Sequence, residues 1–271
     1  MERLQKVKIT QIEMVRDRGY DIGPELEVLG MNTETFETHF ANEADRLGVK
    51  LGSSLIRPVL NRLYFTPNRS ESIYVYYAGS DKLTSTNVVT ARNYISVLSK
   101  SKPTSSILII TARLGHVAEK EIYKHVIRHG IKFQIFYEKD LTFNPTQHRD
   151  VPIHHKLSEE QKLEKLAEMR VLITQLPLIR QDDPIAKYYG WMVGDLIQIH
   201  HTNQSNIIAD QSLNYRVVIA PYVPMTFTLE ENAKLPAERP ETDYSTMTTA
   251  MQSAIVPDAK PDRQVDYLSY N

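Results

Sequence analysis

The sequence predicts an α+β chain in three parts. An N-terminal mixed α/β domain (1–147) has about four strands with flanking helices. A small α+β C-terminal domain (148–221) follows, and then an acidic, Pro-containing tail (222–271) expected to be disordered. Three observations predict this. Through the first part, apolar residues alternate between helical spacing and short β-branched runs. The second part is punctuated by prolines and a helix-start signature. The tail has prolines at 224, 236, 240, 257 and 261, many Thr, Ser and acidic residues, and no sustained period.

Taken in order, Leu4, Val7, Ile12, Met14 and Val15 give an imperfect helical stripe. It ends at Asp17-Arg18-Gly19-Tyr20, where Gly19 can take the left-handed conformation that closes a helix. A second helix is predicted over Glu34–Leu47, with Phe36, Phe40, Ala44 and Leu47 on one face and Gly48 at its end. Tyr64-Phe65 and Ile73–Tyr77 read as strands joined by a turn through Pro67-Asn68-Arg69-Ser70. Val88, Ala91, Ile95 and Leu98 share a helical face, and Ser106–Thr111 is a short run expected to form a buried strand. His116–His129 is predicted as a helix closed by Gly130, and Ile131–Tyr137 as a strand.

In the second part, Ser158 and Gln161 fit a capping box opening a helix to about Met169. Leu176-Pro177, Asp183-Pro184 and Tyr188-Tyr189-Gly190 read as turns. Gly194-Asp195 leads into Leu196–Ile199, which pairs with Tyr215–Ile219 as a final hairpin across a polar connection at 202–212. In the tail, the run Met247–Ile255 could become a short helix on a partner.

The chain has 271 residues, a formal net charge of -1 and no cysteine. That length buries a core without staples. The missing cysteines exclude a disulfide scaffold, a zinc finger, an iron–sulfur site and a thiol nucleophile. The charge balance argues against coating nucleic acid, but it is uneven: 222–271 holds 4 basic and 8 acidic side chains, which leaves about +3 on the rest. No apolar run approaches the ~20 residues of a spanning helix, and the charged start is not a secretory signal, so an intracellular setting is expected.

Catalytic and metal signatures are weak. His125 and His129 lie four apart on a helix, but without His-Glu-x-x-His or a third ligand a solvated face is the better reading, with Glu121 a candidate ion-pair partner. His154-His155 and His200-His201 are sequence neighbours, whose side chains point to opposite faces of an extended chain. Asp182-Asp183 fits turn chemistry better than paired catalytic carboxylates. Glycine-rich phosphate loops and Gly-x-Ser-x-Gly are absent, and Glu160-x-Lys162 and Asp258-x-Lys260 fall outside the strands a nuclease would use. By residue chemistry alone the chain is a soluble scaffold or binding protein, with a free-standing DNA-binding or degenerate nuclease-like α/β protein as the alternative.

Residues 148–216 carry a more specific pattern. His148-Arg-Asp-Val151-Pro152-Ile-His154, Gln175-Leu176-Pro177-Leu-Ile179, Asp183-Pro184-Ile-Ala186-Lys187-Tyr188-Tyr189-Gly190, Gly194-Asp195-Leu-Ile-Gln-Ile199 and Tyr215-Arg216 closely resemble, in order and spacing, the fifth subunit shared by eukaryotic nuclear RNA polymerases. The C-terminal domain of that family is similar to a small, separate subunit of the archaeal RNA polymerase. Asp17-Arg18-Gly19-Tyr20 is similar to the family's start, so the resemblance covers about 1–220. After Ile199 the family's usual Arg-Pro-Ser-x-Thr-Ala-Gly is replaced by His200-His201-Thr202-Asn203-Gln204 with a longer connection, and nothing in the family accounts for 222–271. These departures point to a viral or otherwise diverged homologue.

The resemblance implies a non-catalytic subunit of a DNA-directed RNA polymerase, with no cofactor, metal, small-molecule substrate or membrane. The C-terminal domain would be an assembly module docked on the largest subunit among other polymerase subunits. The N-terminal domain would be a jaw toward downstream double-stranded DNA. Interface residues implied are His148, Val151, Pro152, His154, Leu176, Pro177, Ile179, Asp183, Pro184, Tyr188, Tyr189, Gly190, Tyr215 and Arg216. One of Tyr188 and Tyr189 is expected to close the domain's own core instead. Candidate phosphate contacts are Arg16, Arg18, Lys120, Lys124 and Arg128. The expected location is the virion and host cytoplasm for a viral protein and the nucleus for a cellular one.

Overall fold

A computed structural model describes residues 1–48, 57–78, 88–201 and 212–221. The expectations for the 202–212 connection (apart from Ser212), for the disordered tail and for the Met247–Ile255 helix lie outside these residues. Residues 1–222 form one compact unit that carries two separate four-stranded sheets.

The first sheet has strands β1 (Arg62–Phe65), β2 (Ser72–Ala78), β3 (Ser105–Ile110) and β4 (Lys132–Tyr137), in that spatial order. β1 and β2 form an antiparallel hairpin, and β2, β3 and β4 run parallel. Parallel neighbours need crossovers, supplied by α3 (Val88–Ser101) and α4 (His116–His129). Both helices lie on one face: Ala91, Tyr94 and Leu98 join Ala118, Ile122 and Val126 over Ala78, Leu108 and Ile110. The opposite face is covered by α1 (Glu2–Asp17) and α2 (Thr33–Arg46), where Val7, Ile12, Met14, Phe36 and Phe40 meet Ile73, Val75, Ile107 and Ile109. β3 is therefore sandwiched, and all six of its residues are buried, as the apolar run Ile107–Ile110 requires of its second part.

The helix ends follow local rules. Gly19 stands past the end of α1 at φ +87°, and Gly130 closes α4 at φ +63°. Leu47 departs from its expected face. α2 stops at Arg46, so Leu47 lies beyond the helix and is 61% exposed while Phe36, Phe40 and Ala44 are buried.

The second sheet has spatial order β5-β7-β8-β6, from β5 (Ile153–Lys156), β6 (Leu178–Arg180), β7 (Leu196–His201) and β8 (Ser212–Ile219). β7 and β8 are the expected hairpin. β5 pairs antiparallel to β7 and β6 parallel to β8, two short strands that alternation alone does not reveal. The helix α5 (Glu159–Met169) opens with the full Ser158/Gln161 capping box. The expected turn at Tyr188-Tyr189-Gly190 is the end of a short helix, α6 (Pro184–Tyr189). Asp183 caps its start by accepting from Ile185 N–H at 2.9 Å, which is the turn chemistry expected of it. Trp191, Ile185, Ala186, Ile179, Ile197, Ile199 and Val218 form the core of this half.

Candidate functional site

The two sequence strings that carry the resemblance meet in space. Arg18, at the end of α1, reaches the C-terminus of α6. Its Nε donates to the Tyr188 carbonyl and its Nη2 to the Lys187 carbonyl, each at 2.8 Å. Nη2 also donates to Gln134 Oε1 on β4 at 2.8 Å. The last carbonyls of a helix lack intrahelical partners, and that end favours a cation, so Arg18 caps α6 from another part of the chain. Burial lowers its pKa to about 10, partly offset by Tyr20 and Tyr188, so it stays charged at neutral pH.

Gly190 closes α6 at φ +70°, and a Cβ there would lie 2.9 Å from Arg18 Nη1. Glycine is thus required twice, for the left-handed backbone and for the room it leaves the guanidinium. The Tyr188 hydroxyl donates to Asp17 Oδ2 at 2.8 Å and accepts from Asn144 Nδ2 at 3.0 Å. Asn144 Nδ2 also donates to Glu13 Oε2 at 2.9 Å. Burial, and then Asp17, raises the Tyr188 pKa, which keeps the phenol a donor.

Tyr188 is therefore a core residue, 1% exposed, as is Ile179 at 7%. Both support the surface from beneath and present little of it. Tyr189 is half-buried and stacks on Trp191 at 5.1 Å, with His154 6.0 Å from Trp191. Val151 is partly buried against the same core, and His154 Nδ1 lies 2.7 Å from the Pro152 carbonyl. His148, Pro177, Pro184 and Arg216 are exposed, while Val151, Pro152, Leu176, Asp183, Gly190 and Tyr215 are partly so. Leu176, Pro177, Leu213, Asn214, Tyr215 and Arg216 line a hollow of about 340 Å³. Leu178 and Leu213 on the outer sheet face beside it are 52% and 45% exposed. A larger cleft of about 720 Å³ opens between the two sheets, between Lys132–Gln134 and His154–Lys156.

The basic candidates separate. Lys120, Lys124 and Arg128 recur every fourth residue of α4 and are all exposed, which places them on one stripe. Arg16 is exposed and pairs with Asp17 at 3.0 Å. Arg18 is committed to the carbonyls of α6 and to Gln134. His125 and His129 have ring centroids 4.2 Å apart with the rings tilted by 34°, and His129 Nδ1–H donates to the His125 carbonyl. Glu121 pairs with Arg92 at 3.7 Å, not with His125. Among the described residues no group of three or more His, Asp or Glu is placed to hold a metal ion.

A buried polar cluster was not foreseen. Lys8, fully buried, lies 2.9 Å from Glu25 Oε1 and donates to Gln11 Oε1 at 2.9 Å and the Leu60 carbonyl at 3.2 Å. The Tyr64 hydroxyl donates to Glu25, and Arg62 reaches both Glu25 and Glu43. A second buried pair joins Arg57 to Glu138 at 2.7 Å. The only sequence trace of the first cluster is the gap in the α1 stripe at positions 8 and 11.

Two family models match the chain. "RNA polymerase Rpb5, N-terminal domain" covers residues 1–98, and "RNA polymerase Rpb5, C-terminal domain" covers 143–218. Among curated relatives, the chain is 24% identical over 219 residues to DNA-directed RNA polymerases I, II, and III subunit rpabc1 of Dictyostelium discoideum, spanning 81% of this chain and 98% of that one. It is 25% identical over 221 residues to subunit RPABC1 of the same three polymerases of Caenorhabditis elegans (80% and 96%). It is also 25% identical over 209 residues to DNA-directed RNA polymerases IV and V subunit 5B of Arabidopsis thaliana (77% and 86%). With both domain models matched in order and the relatives matched over nearly their whole length, the chain belongs to the Rpb5 family, the fifth subunit shared by eukaryotic nuclear RNA polymerases.

Proposed function

We propose that this chain is a non-catalytic structural subunit that docks on the largest polymerase subunit through its assembly half (148–221) and contributes its first half (1–147) to the downstream-DNA jaw. The observation that carries the docking is the outer face of the second sheet. Leu178, Tyr215 and Leu213 share that face by register, and Tyr215 and Leu213 line the hollow together with Leu176 and Pro177. Exposed leucines grouped with a tyrosine suit a protein interface. The α4 stripe of Lys120, Lys124 and Arg128 supports the DNA contact, since a few cations suffice for phosphates at one edge.

The test is capture of the tagged full chain from its native source. Large polymerase subunits co-purify, and the pair Leu178→Glu with Leu213→Glu removes them while leaving the circular dichroism unchanged. Capture that recovers no large polymerase subunit sinks the proposal. The identity of the recovered large subunits also separates a nuclear enzyme from a viral one housed in virion and host cytoplasm.

A further inference from the structure

Asp17-Arg18 and Lys187-Tyr188-Tyr189-Gly190 lie about 170 residues apart, on opposite sides of the junction between the two sheets. We infer that they form one device, a clasp that fixes the angle between the half bearing the first sheet and the half bearing the second. The inference rests on the jaw-and-assembly reading only for its consequence in the polymerase, where a locked angle makes the jaw follow the docked half.

The clasp converges on the end of a single short helix. Arg18 joins the two C-terminal carbonyls of α6 to Gln134 of the first sheet. Asp17 takes the Tyr188 hydroxyl, and Asn144, in the segment connecting the halves, bonds both that hydroxyl and Glu13 of α1. Lys187 Nζ sits over the Phe136 ring of β4 at 4.5 Å. A planar guanidinium can serve three acceptors in fixed directions, and a lysine ammonium on a flexible stem cannot hold the same fork. Beside the clasp lies the 720 Å³ cleft, whose walls are the two halves and whose lining includes Asp17, Arg18, Gln134, Tyr189 and Gly190. Releasing the clasp therefore frees the motion that opens or closes this cleft.

The full chain has no cysteine, so Val117→Cys on α4 and Glu164→Cys on α5 introduce two exposed label sites, one per half. Pulsed dipolar spectroscopy on the doubly spin-labelled chain then reads the distance between halves. The parent gives one narrow distribution. Arg18→Ala and Arg18→Lys broaden it about twofold, as expected for a freed hinge, Tyr188→Phe broadens it less, and Lys100→Ala, at an exposed position on α3, leaves it unchanged. Equal widths in the parent and in Arg18→Ala overturn the inference. Should Arg18→Ala fail to fold, Tyr188→Phe decides, because it keeps the ring and the Arg18 bonds: an unchanged width overturns the clasp. Failure to capture large subunits would refute the docking proposal and leave this distance result standing.

Discussion

Lys8 shows how a single buried charge ties a helix to the elements around it. Burial lowers its pKa to about 8, against the opposing pull of Glu25, from an unfolded value of about 10.4. Below pH 8 both states carry the proton, and the cost of burying the ammonium is fully present. Between about 8 and 10.4 the unfolded chain holds a proton that the folded chain has released, so stability rises with pH, by at most about 1.4 kcal/mol per unit. The melting temperature of the parent should therefore gain on that of Lys8→Met across this window; a constant difference would show that Lys8 is not depressed. Glu25, Tyr64, Arg62 and Glu43 face the same cluster, so the comparison with Lys8→Met isolates the lysine's share. Arg170 poses a simpler problem. It ends α5 at φ 54°, where a side chain costs about 1 kcal/mol. Arg170→Gly should raise the melting temperature slightly, by less than that strain because glycine also loses more entropy on folding.

At the scale of elements, α4 and α6 both end on a left-handed glycine, and the two ends differ in what surrounds them. A Cβ at Gly130 meets nothing within 4 Å, whereas at Gly190 it meets the Arg18 guanidinium. Gly130→Ala should cost about 1 kcal/mol of backbone strain. Gly190→Ala should cost that plus roughly 1–3 kcal/mol for displaced hydrogen bonds. In an Arg18→Ala background the excess should vanish, and denaturant titrations of the four variants measure it. The capping box at Ser158 is a local device, so Ser158→Ala should lower stability by about 1 kcal/mol wherever it is measured. Such signals act within four residues and are legible in the chain. α6 and the strands β5 and β6 were not, because three to six residues are too few to display a period.

For the whole molecule, the proposed contact of α4 with DNA makes a prediction for an assembled polymerase. Replacing Lys120, Lys124 and Arg128 together by glutamate should leave the fold intact, since all three are exposed. It should also reduce the salt dependence of downstream-DNA retention, by up to about one slope unit per lost phosphate contact. An unchanged slope would overturn the proposed α4 contact. The chain's own order of residues determined the α+β class, the four long helices, the first sheet, the closing hairpin and the strings that carry the family resemblance. Each of these is set by spacing, capping and turn chemistry within a few positions. Tertiary structure alone decided that Arg18 is a helix cap rather than a free cation, that Tyr188 lies inside and Tyr189 at the margin, and that Lys8 is buried with Glu25. The reason is physical: the environment of a charge or a phenol is set by its partners, and the charged and carbonyl partners that decide it here stand between 17 and about 170 residues away along the chain.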